Sequence, residues 1–160
     1  MQKAFTLIEL IFVILILGVL TAVAVPKFKG LTDNAKISAE LSTAASVQVA
    51  LDSCHGEWII NEGTFTCGGS IKSNTNDFNK SSGYPTNLGL GDGDKKPLEK
   101  ILKDAGTNIK WKLIDSKYYG PASNKEKGVS ASNCKDDKPC IGRWWEYNTT
   151  SGTFSLHKQS

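Results

Sequence analysis

The chain has little of what a catalyst is built from. Its 160 residues include two histidines, His55 and His157, and neither a G-x-S-x-G nor an H-E-x-x-H motif, so nothing supports histidine-assisted hydrolysis and no enzyme is expected. A nucleotide site is equally unsupported. The glycine-rich stretch Gly89-Leu90-Gly91-Asp92-Gly93-Asp94 lacks the G-x-G-x-x-G spacing, follows no strand, and carries two aspartates that would repel phosphate. Asp92 and Asp94 are hard oxygen ligands and thin candidates for calcium. The EF-hand pattern is not met, so a solvated turn is expected there and no cofactor. A net charge of +3 creates no strong field for nucleic acid. Seven lysines lie between Lys95 and Lys117 against Glu99, Asp104 and Asp115, and they read as a solvated face.

What the chain does have is one long apolar run. Phe5 to Val25 holds a single charge, Glu9, with four residues before it. About 20 apolar residues at 1.5 Å rise cross the ~30 Å hydrocarbon core of a bilayer, so the run can span one. A carboxylate inside it costs on the order of 3 kcal/mol, less near the interface, and such residues usually have a partner or a function. A secretory signal peptide is the first alternative, since Lys3 supplies a positive start and Ala22-Val23-Ala24 resembles a cleavage site. Glu9 and the length of the run speak against it, because signal-peptide apolar regions span about 7 to 15 residues. A plain single-pass anchor is the second. Lys27 and Lys29 balance Lys3 and the amino terminus, so charge bias alone sets no orientation.

Ala4-Phe5-Thr6-Leu7-Ile8-Glu9 followed by unbroken apolar sequence closely resembles the N-terminal signature of type IV pilins and type II secretion pseudopilins. Ala4 stands where that family usually has Gly. The resemblance implies cleavage between Ala4 and Phe5 by a prepilin peptidase and N-methylation of Phe5. It also implies pairing of Glu9 with the N-terminus of a neighbouring subunit in a filament. Gly18 and Pro26 match positions where family members bend or unwind in assembled filaments. Further implied partners are copies of the chain, an inner-membrane assembly platform with its ATPase and an outer-membrane secretin, with membrane lipid before assembly. The implied location is the bacterial inner membrane, crossed once with the C-terminal domain in the periplasm, then a surface pilus or periplasmic pseudopilus. The implied function is a structural subunit of a type IV pilus-like filament, abundant or minor. The alternatives are a type II secretion pseudopilin and an anchored binding domain that never polymerises.

The residues divide into a leader at 1–4, a transmembrane and polymerisation helix at 5–25, an amphipathic continuation at 26–53 and a globular domain at 54–160. Ile37, Leu41, Ala44, Ala45, Gln48 and Leu51 recur at three- and four-residue steps, which predicts a helix of about 48 residues, roughly 70 Å long. Pro26 should kink it. Four cysteines in a small exported domain read as two disulfides. Three pairings are possible, and sequence neighbourhood favours Cys54 with Cys67 and Cys134 with Cys140.

Trp58-Ile59-Ile60 and Thr64-Phe65-Thr66 suggest a stapled hairpin, Gly68 to Lys96 a long loop, and Pro97 to Ala105 a short helix stopped by Gly106. Strands are expected at Ile109–Leu113 and Ile141–Tyr147, with a loop between them through Tyr118-Tyr119. The turn Asn148 to Gly152 then leads back through Phe154 and Leu156. Trp144 and Trp145 should place one ring on each face of the sheet. Asn79 and Asn148 each open an N-x-[ST] triplet with an acidic residue two before it, a pattern resembling the acceptor of some bacterial glycosylation systems. The fold class is α+β: a long helix, membrane-spanning in its first half, packed on a small antiparallel sheet. The resemblance implies the same fold.

Overall fold

A computed structural model describes residues 5–61, 63–89, 96–103, 110–130, 132, 134–135 and 137–159. Its organising element is helix α1, Leu7–Ile60, which is 54 residues long. Thr6 caps it through its hydroxyl, and Pro26 lies inside it. From Phe5 to Val25 nearly every residue is exposed. Contact with the rest of the chain begins at Asp33. The apolar half therefore projects as a stalk, long and apolar enough to cross a membrane.

Beyond Asp33 the buried line runs Ile37, Glu40, Ala44, Val47, Leu51 and Cys54, at steps of three and four. Ala45, expected on this face, is exposed. The helix also runs past residue 53, so Trp58-Ile59-Ile60, expected to begin a hairpin, is in fact its last turn. Burial decides this. Cys54 is fully enclosed and Trp58 packs against the core one turn later, which outweighs the strand preference of two consecutive isoleucines. Asn61 ends the helix, its backbone N–H donating to Glu57 O at 2.9 Å.

The main sheet is a four-stranded antiparallel meander in chain order: β5 (Lys112–Ile114), β6 (Lys117–Tyr119), β7 (Arg143–Asn148) and β8 (Thr153–Lys158). The expected terminal hairpin is present, with Trp145 opposite Leu156 and Tyr147 opposite Phe154. β6, read as loop, is a strand. Its turn uses Asp115 and Ser116 at φ 50° and 62°, the left-handed pair that a two-residue hairpin requires but that glycine or asparagine usually supplies. One sheet face lies on α1, where Trp145 stacks on Phe154 at 5.4 Å and Trp111, Leu113 and Tyr118 join Val47 and Leu51 in one core.

The stretch from Gly68 to Lys96 is not one open loop. Two short antiparallel pairs organise this part of the chain: β1 (Thr66–Cys67) with β2 (Ile71–Lys72), and β3 (Phe78–Asn79) with β4 (Tyr84–Pro85). They bury Cys67, Ile71 and Phe78, with Leu88 just beyond. The helix expected from Pro97 is a set of turns, because both Lys100 and Ile101 N–H groups donate to Leu88 O instead of continuing a helical ladder. Leu98 and Ile101 are buried on one side as expected, whereas Ala105, Gly106 and Ile109 lie outside the described residues.

Cys54 is bonded to Cys67, which staples α1 to β1, and Cys134 is bonded to Cys140. The second ring encloses backbone acceptors. Arg143 donates to Lys135 O at 2.8 Å and also to Lys138 O. Closing a loop of 13 residues' separation restricts the unfolded chain by about 3 kcal/mol. Replacing Cys54 and Cys67 together with serine is expected to lower the unfolding free energy by about that amount, measured by chemical denaturation of the full chain in detergent.

Candidate assembly helix and its anchorage

Two carboxylates on α1 hold opposite positions, one exposed at its start and one enclosed halfway along. Glu9 sits in the first turn, third after the capping Thr6. Its Oε2 accepts from the Thr6 backbone N–H at 3.2 Å and from the Thr6 hydroxyl at 3.1 Å, while Glu9 N–H donates to Thr6 Oγ1 at 3.4 Å. This reciprocal pair satisfies donors that the first turn leaves open. Around it Phe5, Leu7, Ile8 and Leu10 are all exposed. No other part of the described chain covers this end.

Gly18 has open space beside it, since a Cβ there would meet nothing within 4 Å, and Thr21 donates back to Leu17 O and Gly18 O. Any close packing at Gly18 would have to come from another chain. Ala4 lies outside the described residues, as do Asp92 and Asp94. Asn79 and Asn148 each use Oδ1 to hold a turn, accepting from Ser81 and Ser82 and from Thr150 and Ser151.

The lysine-rich stretch is dispersed by pairing. Lys96 meets Glu99 at 2.6 Å, Lys100 meets Asp77 at 2.7 Å, Lys112 meets Glu126 at 3.8 Å, and Lys117 lies 4.2 Å from the Trp144 ring. Trp144 and Trp145 do occupy opposite faces: Trp145 is in the core, whereas Trp144 is half-buried under Lys117 and stacked with His157. His55 stacks on Tyr84 at 4.4 Å, so both histidines serve ring packing. Among the described residues no three His, Cys, Asp or Glu side chains converge as a metal site would require.

The residue that sequence reasoning missed is Glu40. It is fully buried, three residues after Ile37 on the apolar face. Oε2 accepts from Ala122 N–H at 2.6 Å and Ser123 N–H at 3.0 Å. Oε1 accepts from Ser123 Oγ–H at 2.8 Å and Trp145 Nε1–H at 2.7 Å. Four donors thus converge on two oxygens, from the segment after β6 and from the middle of β7. Gly120 makes room for it, because a Cβ there would lie 2.4 Å from the Glu40 carboxyl carbon. The signal in the sequence was the charge itself, a lone glutamate in line with Ile37, Ala44 and Val47.

Burial raises the Glu40 pKa above its ordinary value of 4.5, and the hydrogen bonds from Trp145, Ser123 and Ala122 oppose that rise only in part. The native protein therefore takes up this proton before the unfolded chain does as pH falls. Its contribution to stability is fully present below 4.5 and is lost as pH rises through the native value. The midpoint of thermal unfolding, compared between the parent and Glu40→Gln, is expected to diverge in the parent's favour as pH falls from neutrality toward 4.5. A gap that closes on acidification would contradict this.

Residues 1–25 match the family model described as the prokaryotic N-terminal methylation motif. The chain is 26% identical to the type IV major fimbrial protein FimA of Dichelobacter nodosus, over 85% of this chain and 97% of that one. It is 28% identical to a fimbrial protein of Pseudomonas aeruginosa, over 86% and 87%. With the type IV narrow pilus major component PilA5 of Thermus thermophilus it shares 54% identity, over 30% of this chain and 41% of the other. No solved structure matches the chain. The N-terminal motif, the long helix laid on a small antiparallel sheet and these relatives agree, and together they support a place for the chain among type IV pilins.

Proposed function

We propose that the chain is the structural subunit of a type IV pilus-like filament, cut between Ala4 and Phe5, methylated at Phe5, and polymerised through its 5–25 helix. One observation carries this: the first half of α1 is uncovered apolar surface headed by a single carboxylate, while the second half is bound into a folded domain. Such a surface requires lipid or other helices around it, and a filament of like helices provides the second. Lipid serves before assembly, with the chain held once across the bacterial inner membrane and residues 54–160 in the periplasm. Two disulfides suit that oxidising side.

Within this reading a prepilin peptidase, an assembly platform with its ATPase, and an outer-membrane secretin act on the chain in turn. The relatives are named as fimbrial or pilus components, two of those reported as major ones, which favours a pilus over a secretion pseudopilus. The intact mass of the protein from its native host tests the pathway. Loss of residues 1–4 with gain of one methyl group supports it. A chain beginning at Met1 or at Val25 would overturn it.

A further inference from the structure

Where α1 leaves its apolar half, the globular domain presents a basic cleft of about 620 Å³, lined by Thr32, Lys36, Lys110, Lys127, Gly128 and Ser130 among others. Its height on the helix gives it meaning. Thr32 is seven residues beyond Val25, about 10 Å along the axis. Phe28 and Leu31, just before it, are exposed apolar side chains. A bilayer's polar layers add roughly 5–8 Å to each side of the hydrocarbon core. With residues 5–25 in the hydrocarbon, Phe28 falls in the interface, and Leu31 and the mouth of the cleft lie at its outer edge.

The charges there have one sign in excess. Lys36 is held in place, its Nζ donating to Lys127 O at 2.7 Å and lying 3.9 Å from Asp33 Oδ1. Lys110 and Lys127 are exposed at the rim. Asp33 is the acidic residue in the lining, and nearby Glu126 faces Lys112 at 3.8 Å. Three lysines against one aspartate, beside two exposed apolar side chains, fit a surface of anionic phosphates over acyl chains. We infer that this cleft seats the headgroups of anionic phospholipids and so fixes the height and tilt of the unassembled subunit on the membrane. The inference rests on the proposed span of residues 5–25.

The full chain in lipid nanodiscs tests it, followed by backbone amide signals. Discs of phosphatidylcholine alone are compared with discs containing phosphatidylglycerol. The Thr32, Gly128 and Ser130 amides are expected to shift with phosphatidylglycerol content and to relax back as salt is raised. Each lysine near an anionic surface contributes roughly a five-fold factor, so changing Lys36, Lys110 and Lys127 together to glutamine should weaken the headgroup affinity on the order of 100-fold and abolish the shift even in discs rich in phosphatidylglycerol. Core amides such as Leu113 and Phe154 report whether that variant is folded, and the salt series on the parent stands without it. Inserted 5–25 amides with no phosphatidylglycerol-dependent shift at the cleft would overturn the inference while leaving the span intact. Amides 5–25 unprotected in both discs would overturn the span and the inference together. Equal shifts from inorganic phosphate in phosphatidylcholine discs would show a phosphate site rather than a lipid surface, and that too overturns it.

Discussion

Glu40→Ala is expected to destabilise the globular domain by about 3–5 kcal/mol, near the low end of what a whole domain has to lose. The size follows from what stays behind. Ala122 N–H, Ser123 N–H and Trp145 Nε1–H all point at the vacated carboxylate, and each buried donor without an acceptor costs about 1–3 kcal/mol. Ser123 loses less, because its hydroxyl can rotate. Glu40→Gln fills the same space but offers one acceptor oxygen and one donor nitrogen to a site made of donors. With the amide oxygen on the backbone pair, its NH2 group meets Ser123 Oγ and the fixed Trp145 N–H, so a loss of about 2 kcal/mol is expected.

Trp145 stacks on Phe154 in the core and is one of four tryptophans, so its change of surroundings on unfolding contributes to the change in emission. Chemical denaturation of the full chain in detergent, read through tryptophan emission, measures both variants against the parent. A change below about 1 kcal/mol for Glu40→Ala would mean that water replaces the carboxylate without loss, and the anchoring role would fall. Glu40 fastens α1 to the segment after β6 and to β7 from within, at a point of the helix beyond its exposed stalk.

The stalk was legible because its apolar run is unbroken, and the terminal hairpin because Trp145, Tyr147, Phe154 and Leu156 alternate around a turn rich in Asn, Ser and Gly. Glu40 was not, since a lone charge on a helix reads as solvated until residues 82, 83 and 105 positions away arrive to bond it. The end of α1 was hidden by a real conflict. Ile59 and Ile60 prefer strand but stay exposed, and the enclosure of Cys54 and Leu51 holds the helix they finish. β5 and β6 were separated because Asp115-Ser116 lacks the glycine that marks such turns. Between Gly68 and Lys96, polar composition concealed Ile71, Phe78 and Leu88. Three apolar residues spaced too far apart for any periodicity nevertheless close the core.

Glu9→Leu is expected to abolish filaments while leaving the subunit folded and inserted. Stability should be untouched because the domain first grips α1 at Asp33, 24 residues beyond Glu9, and because among the described residues Glu9 is hydrogen-bonded only to Thr6. Insertion should improve, since a carboxylate is removed from an apolar run. Under the proposed assembly, however, each docking step buries the N-terminal amine of one subunit. Removing its only acidic partner on the apolar helix leaves an uncompensated buried charge, which costs about 3–5 kcal/mol, or at least a 100-fold loss in the constant for adding a subunit. The loss recurs at every subunit, so sheared filaments should fall below detection while total chain stays near the parent level. Thr6→Ala separates pairing from capping. It removes the hydroxyl that accepts from Glu9 N–H, at a cost of about 1 kcal/mol to the helix start, but keeps the carboxylate, so filaments should persist. Filaments from Glu9→Leu at the parent level would sink the pairing mechanism. Loss of filaments in Thr6→Ala as well would reassign Glu9 from register-setting charge to helix cap. Only failure of Glu9→Leu with survival of Thr6→Ala, in chains whose domains unfold at the parent midpoint, assigns the assembly step to the charge.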